Sequence, residues 1–277
     1  MTNWHGNGGG WGGDAPVFDS NYELSWGGRT WKYPDVWITV QEWEPTESST
    51  GRNCIWHYTP DGDSDGWQAL RSGGSYYGES MDCDPLIEHE KRIMCFQAAE
   101  LLYLHASAKG NVVADLNLGY VYSYDRCEGR YWEKRMNWET EEDLRQPYPY
   151  LEKAYEHYRI AAEAGIVEAC YKLGDLLRDG RGCEADFGEA FTWFERAYEL
   201  ARDTHPVIWG SAALRLGQAF EEGQGCTQGF EDARQWYERA VTGLDIAVRG
   251  GEHWYRGALR RAERGLKRVR QELNGNY

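Results

Sequence analysis

Residues 169–183, ACYKLGDLLRDGRGC, recur 43 positions later as residues 212–226, AALRLGQAFEEGQGC. The same shift aligns residues 193–197, WFERA, with residues 236–240, WYERA. A common register over so many positions is typical of an internal repeat, in which each copy is one supersecondary unit. This stretch therefore predicts a fold made of similar units stacked side by side.

Two less complete copies precede this pair of units. One opens at residues 114–119, ADLNLG, and closes at residues 154–165, with residues 123–149 inserted between its halves. Residues 99–110 match only the second half of a copy, including its final glycine. Apolar residues at helical spacing on both sides of a glycine indicate that each complete copy is a helix, a turn and a second helix.

The small residues of these helices predict how the helices pack. Alanine and glycine at fixed positions let paired helices approach closely, while Leu, Trp, Phe and Tyr fill the remaining space. One unit cannot bury its apolar face alone, so neighbouring units must stack. We therefore predict a mainly α protein, with an α/α superhelical solenoid in residues 85–277. Its last helix, residues 252–274, caps the stack with an apolar stripe and a basic outer side.

The first 84 residues have a different composition, rich in Gly, Trp and turn-forming residues. We expect a small β-containing region there, with a domain boundary after residue 84 and no regular structure before residue 16. Gly27-Gly28 favours a tight hairpin turn between two strands. The segments typical of strands are residues 22–26, 30–33 and 36–43.

The long helix predicted for residues 85–109 has no first helix of its own unit to cover it. Its apolar residues, among them Phe96 and Leu101, would form an exposed patch that promotes aggregation. We therefore expect part of residues 1–84 to pack against this helix.

Charge and composition narrow the classes of partner. The chain has 30 Lys and Arg against 45 Asp and Glu, a formal net charge of -15, which repels nucleic acid and anionic lipid. No apolar run reaches membrane-spanning length, and the first residues lack the features of a secretory signal. The seven cysteines are odd in number and form no C-x-x-C pair, which fits a reducing compartment. We expect a cytoplasmic protein with neither a nucleic-acid nor a membrane partner.

Residues 61–66, DGDSDG, supply the first carboxylates and the glycine of a calcium loop. The twelfth position is Ser72, which cannot replace the bidentate glutamate, and neither flank looks helical. The pattern therefore argues against calcium and favours a solvated Asp-Gly turn between two strands.

Other residues with catalytic or metal-binding chemistry have simpler explanations. The seven histidines do not cluster at a metal-ligand spacing, and His157 occupies the repeat position of Trp193 and Trp236. Cys183 and Cys226 fit small apolar residues at the turns of two units. The glycine-rich residues 6–13 lack the strand and the Lys of a phosphate loop. We predict no catalytic residue, no metal and no cofactor.

Written as a pattern, the units run A-x-x-x-L-G, then G-x-G, then A-x-x-W-[FY]-x-x-A. Over residues 99–251 this pattern resembles the Sel-1-like repeat, a relative of the tetratricopeptide repeat. The resemblance implies an α/α superhelix that scaffolds protein complexes, in bacteria often for signalling or envelope-related partners, and it implies no catalytic residues. The unit is longer than usual because residues 204–210 lengthen the link between two units.

A cysteine-rich bacterial branch of this family ties neighbouring helices by disulfides. Cys170 occupies a matching site, but Ala161 and Ala162 stand where its partner would be. The resemblance therefore does not extend to that disulfide ladder.

These observations favour a non-catalytic scaffold or adaptor that binds another protein or peptide. The alternative is a module for a carbohydrate or another small ligand in the Trp-rich region, since flat aromatic faces suit sugar rings. The basic last helix can also be interpreted as a nucleic-acid or membrane patch, although a polar cap on an acidic body fits it better. The rings that motivate the carbohydrate alternative are Trp31, Trp37, Trp43, Trp56 and Trp67.

The predicted partner site is the inner face of the solenoid, formed by the first helices of the units. Side chains there should face away from the stack, and Leu214 is the equivalent of Tyr171 in the next unit. A second candidate is the acidic insertion, with Tyr148 and Tyr150 as anchors. We expect Tyr120, Lys172, Arg178 and Arg215 to be dispensable for stacking. The proposed contacts are Tyr120, Tyr171, Lys172, Asp175, Arg178, Arg215, Gln218 and Glu221.

Overall fold

The computed structural model describes five strands within residues 17–57 and, beyond them, residues 63–84, 87, 89–124, 126, 150–202 and 204–275. The chain divides into two compact units, Met1–Tyr150 and Leu151–Tyr277. The boundary predicted after residue 84 falls inside the first unit.

The strands form two small antiparallel sheets. In the first sheet the order is β1-β2-β3, and Trp26 is paired with Arg29 across antiparallel strands. The turn predicted at Gly27-Gly28 lies outside the described residues. The second sheet is a pair, β4 and β5. The strands are β1 (Val17–Phe18), β2 (Glu23–Trp26), β3 (Arg29–Lys32), β4 (Thr39–Glu44) and β5 (Arg52–His57).

The described residues of the first unit also form three helices: α1 (Trp67–Asp82), α2 (His89–Ala108) and α3 (Val112–Ser123). The expectation that residues 67–70 are not helical is wrong, because they form the first turn of α1. Asp63 stabilises this turn, since its two carboxylate oxygens accept hydrogen bonds from the backbone N–H groups of Gln68 and Ala69, both at 3.0 Å.

Helix α1 supplies the cover that α2 needs. The two helices pack along their length, and Phe96 and Leu101 of α2 are fully buried. Gly73 allows this close approach, because a β-carbon at residue 73 would lie 2.6 Å from the ring of Tyr103. The packing that we expected from the first 84 residues is thus observed for residues 67–82.

The second unit is a run of helices in which each packs on the next along the chain. A 3₁₀ turn at His253–Tyr255 precedes the last helix, which packs on the two helices before it and agrees with the predicted cap. The mainly α class and the helix pairs predicted here are confirmed. The helices are α4 (Leu151–Glu163), α5 (Val167–Asp179), α6 (Phe187–Ala201), α7 (Pro206–Glu222), α8 (Phe230–Arg249) and α9 (Arg256–Gly275).

The glycine of the repeated Leu-Gly pair marks a close contact within each helix pair. A β-carbon at Gly174 of α5 would lie 2.6 Å from the ring of Phe194 on α6. The equivalent Gly217 of α7 meets the ring of Tyr237 on α8 at 2.9 Å. In each pair a glycine faces an aromatic ring of the neighbouring helix. This contact explains why the glycine and the aromatic residue both recur in the repeat.

The second glycine of each G-x-G turn packs on the unit before it. Gly182 and Gly225 both have φ of 76°, in the left-handed region. A side chain at either position would collide with a backbone carbonyl at the start of the preceding second helix, at Leu151 and Phe187 respectively. These glycines hold consecutive units in one register.

Within the part of the chain that the structure describes, none of the helices combines the length and apolarity needed to cross a bilayer.

Candidate functional site

Several of the predicted partner-binding side chains meet on α5 and α7 of the second unit. Arg215 donates from Nε to Oδ1 of Asp175 at 2.8 Å and from Nη1 to Oε1 of Gln218 at 3.2 Å. Arg178 lies 3.5 Å from the same oxygen of Asp175 and binds Asp179 at 2.7 Å. The guanidinium groups of Arg178 and Arg215 are therefore already paired with carboxylates.

Tyr171 lies beside this cluster. Burial would lower the pKa of Arg215, but the neighbouring Tyr171 and Asp175 more than offset that effect, so the pKa is raised. Burial, followed by the charge of Asp175, raises the pKa of Tyr171. Arg215 thus stays charged and Tyr171 stays neutral across the physiological range.

The cluster forms one rim of a groove with an aromatic floor. Phe187, at the start of α6, is 40% exposed, whereas Phe194 is almost fully buried beneath it. Phe191 is half-buried and packs edge-on against Phe220, with ring centroids 5.5 Å apart. The residues that line the groove are Arg178, Phe187, Ala190, Phe191, Phe194, Arg215, Gln218, Ala219 and Gln224.

The groove has the geometry to bind an apolar side chain of a partner between polar groups. Exposed aromatic surface beside Arg and Gln is the composition of many protein interfaces. Phe187 and Phe191 were not predicted, because the repeat pattern places outward positions on the first helices and these two residues lie on a second helix. Their spacing of four residues on α6, on the side of Phe194, was the available signal.

One expectation about the inner face is wrong. Leu214 does not face away from the stack, because it is 3% exposed and belongs to the core between α7, α8 and α9. Arg215 and Glu221 each bind a side chain of another helix.

Glu221 points to the last helix rather than to the groove. Its side chain is 14% exposed and accepts two hydrogen bonds from Arg268 of α9, at 2.8 and 2.9 Å, and one from Tyr237 of α8. Burial raises its pKa, but the bonds from Arg268 and Tyr237 outweigh it, and the pKa is lowered. Glu221 therefore joins three helices.

The remaining predicted contacts lie apart from the groove or outside the described residues. Lys172 is half-buried on α5. Tyr120 belongs to α3 of the first unit, where it lines a separate cavity with Tyr77, Tyr103 and Asn117. Its ring stacks on Tyr124 at a centroid distance of 6.2 Å.

Of the insertion, residues 123–149, the structure describes only residues 123, 124 and 126, and Tyr150 follows it. The ring of Tyr150 lies 6.0 Å from that of Tyr122, whereas Tyr148 is outside the described residues. Of the rings that motivate the carbohydrate alternative, Trp67 is 52% exposed on α1. Those outside the described side chains are Trp31, Trp37, Trp43 and Trp56.

The thiols of the repeat turns are neutral. Burial, followed by the nearby carboxylates, raises the pKa of Cys183 and of Cys226 above the usual value for a thiol. Cys170 is buried and unpaired, and its Sγ lies 3.6 Å from the carbonyl oxygen of Ala162. Among the described residues, no group of three or more His, Cys, Asp or Glu side chains is arranged to hold a metal ion.

A family comparison matches residues of the second unit. The Sel1 repeat family matches residues 151–166, 167–201 and 210–242, which confirms the predicted resemblance for these helices. A Sel1 repeat protein from Oxalobacter formigenes is 22% identical, with a TM-score of 0.47 over 68% of this chain and 62% of that one.

The protein c5321 is described as a protective antigen present in uropathogenic Escherichia coli strains, with an SLR fold. It is 18% identical to this chain, with a TM-score of 0.35 over 76% of this chain. The chain spans 62% and 46% of the lengths of these two proteins. No curated protein matches the chain.

Proposed function

Because this chain carries Sel1 repeats, we propose that it is a non-catalytic scaffold or adaptor that binds another protein through the groove between α5, α6 and α7. Sel1-repeat proteins are generally protein-interaction scaffolds. The observation that carries the proposal is the exposed Phe187 beside the side chains of Arg178 and Arg215 in one groove.

The charges around the groove indicate the kind of segment it binds. Arg178 and Arg215 are balanced by Asp175 and Asp179, so the rim adds little net charge. Affinity then depends on an apolar side chain placed against the phenylalanines and on hydrogen bonds to the rim. The partner segment is one with a large apolar residue flanked by polar groups.

The variant Phe187→Ala tests this assignment. It should weaken capture of the partner by about tenfold or more, because truncating a central aromatic anchor typically costs about 2 kcal/mol or more. Leu200→Ala is the matched control, since Leu200 is 43% exposed at the other end of the same helix. Equal capture of the partner by both variants would contradict the assignment of partner binding to this groove.

We also propose that the protein functions in a reducing compartment such as the cytoplasm. The unpaired thiols of Cys170, Cys183 and Cys226 support this location.

A further inference from the structure

Helix α9 carries basic residues of two kinds, which face different ways. Arg268 and Arg270 reach back to the body of the unit, where they bind Glu221 and Glu238 at 2.8 Å. The apolar side of α9 packs on α7 and α8. The buried residues of that side are Ala258, Ala262, Gly265 and Val269.

The opposite side of α9 is a basic stripe formed by Arg256, Arg260, Arg264 and Lys267, all exposed. Their spacings of four, four and three residues place them along one side of the helix, over about 17 Å. Among the described residues no ion pair involves Arg260, Arg264 or Lys267. Arg256 lies 3.4 Å from a ring nitrogen of His253, and Glu263 borders the stripe.

A polar cap does not require this many basic residues. Arg268 and Arg270 already bind α9 to the acidic body, and any polar residue would keep the outer side of the helix solvated. Within the described residues, Arg260, Arg264 and Lys267 thus form no ion pair, although the chain has a net charge of -15. Trp254, which is 77% exposed, directly precedes the helix and adds an aromatic ring, a residue type enriched at interfaces.

We propose that the basic stripe of α9 docks an acidic segment of a partner protein, at a surface distinct from the groove. A length of about 17 Å corresponds to about three helical turns or about five extended residues. The acidic body behind the stripe repels a longer polyanion that runs past it, which favours a short acidic peptide over nucleic acid. Docking of this kind weakens as salt screens the exposed charges.

The test uses the full chain and a fluorescein-labelled oligoglutamate peptide long enough to span the stripe. The triple variant R260E/R264E/K267E should lose at least about tenfold in affinity at low salt. The control R181E/R202E/R249E makes the same change in net charge at scattered exposed positions and should lose less than about threefold. Circular dichroism melting of both variants checks that the fold is intact.

Four results would overturn the proposal. Equal losses in the two triple variants would assign binding to the net charge of the chain rather than to the stripe. Tighter binding of an oligothymidylate of equal charge would assign the stripe to nucleic acid, and binding of phosphatidylserine vesicles alone would assign it to a membrane. If the triple variant unfolds, R260Q and R264Q are measured singly, and wild-type affinity in both would contradict the proposal.

Discussion

Arg215 of α7 donates from Nε to Oδ1 of Asp175 of α5 at 2.8 Å, joining the first helices of two consecutive repeats. Their side chains are only 17% and 22% exposed, so water screens this pair less than it screens a surface pair. The same contact fixes the rim of the groove. One interaction thus contributes both to the stacking of repeats and to the shape of the candidate partner site.

Arg215→Ala should lower the free energy of unfolding by about 1–2 kcal/mol, because it leaves the carboxylate of Asp175 with a weaker partner in a half-buried place. Urea unfolding measures the change. Arg249→Ala is the control, because Arg249 is 80% exposed in a pair within one helix, and it should cost less than about 0.5 kcal/mol. Equal costs would show that the bond between repeats adds no stability.

Gly182→Ala and Gly225→Ala should each destabilise the second unit by at least about 2 kcal/mol, since a side chain there meets both a left-handed backbone and a neighbouring carbonyl. Thermal melting of the full chain measures the loss. A β-carbon at Gly188 of α6 would make only an ordinary contact, 3.4 Å from Oδ1 of Asp186, so Gly188→Ala should be neutral or slightly stabilising. Melting temperatures that fall together for all three would contradict the packing account.

The bonds of Glu221 to Arg268 and Tyr237 make stability depend on pH. Because the pKa of Glu221 in the folded chain lies below its ordinary value of 4.5, its contribution is present above pH 4.5 and is lost as the pH falls through the lowered pKa. The difference in unfolding free energy between wild type and Glu221→Gln should therefore be constant from pH 7 to pH 5 and shrink towards pH 3. Urea titrations at these pH values measure it, and a difference that grows on acidification would refute it.

The repeat register predicts much of this fold. Leu173-Gly174 and Leu216-Gly217 place α5 to α8, because packing fixes the spacing between small and large residues. Helix α1 escaped prediction, since Gly73, Gly74 and Gly78 interrupt its apolar pattern and resemble turn residues. Tertiary packing against α2 overrides that low propensity.

The candidate site was less predictable than the fold. Residue spacing places Asp175, Arg178, Arg215 and Gln218 on outward positions, but it cannot show that Arg215 bridges to a residue 40 positions earlier. The aromatic floor arises only when α6 lies between α5 and α7. A periodicity within one helix cannot reveal a groove formed by three.

The most direct test of the central claim is site-specific photo-crosslinking. The photoreactive amino acid benzoylphenylalanine replaces Phe187 in the groove or, as the control, Leu200 at the far end of α6. We predict that irradiation in a native lysate gives a discrete protein adduct from position 187, lost when Phe191→Ala is added, and no such adduct from position 200. The same adducts from both positions, or none from position 187, would contradict the assignment of partner binding to this groove.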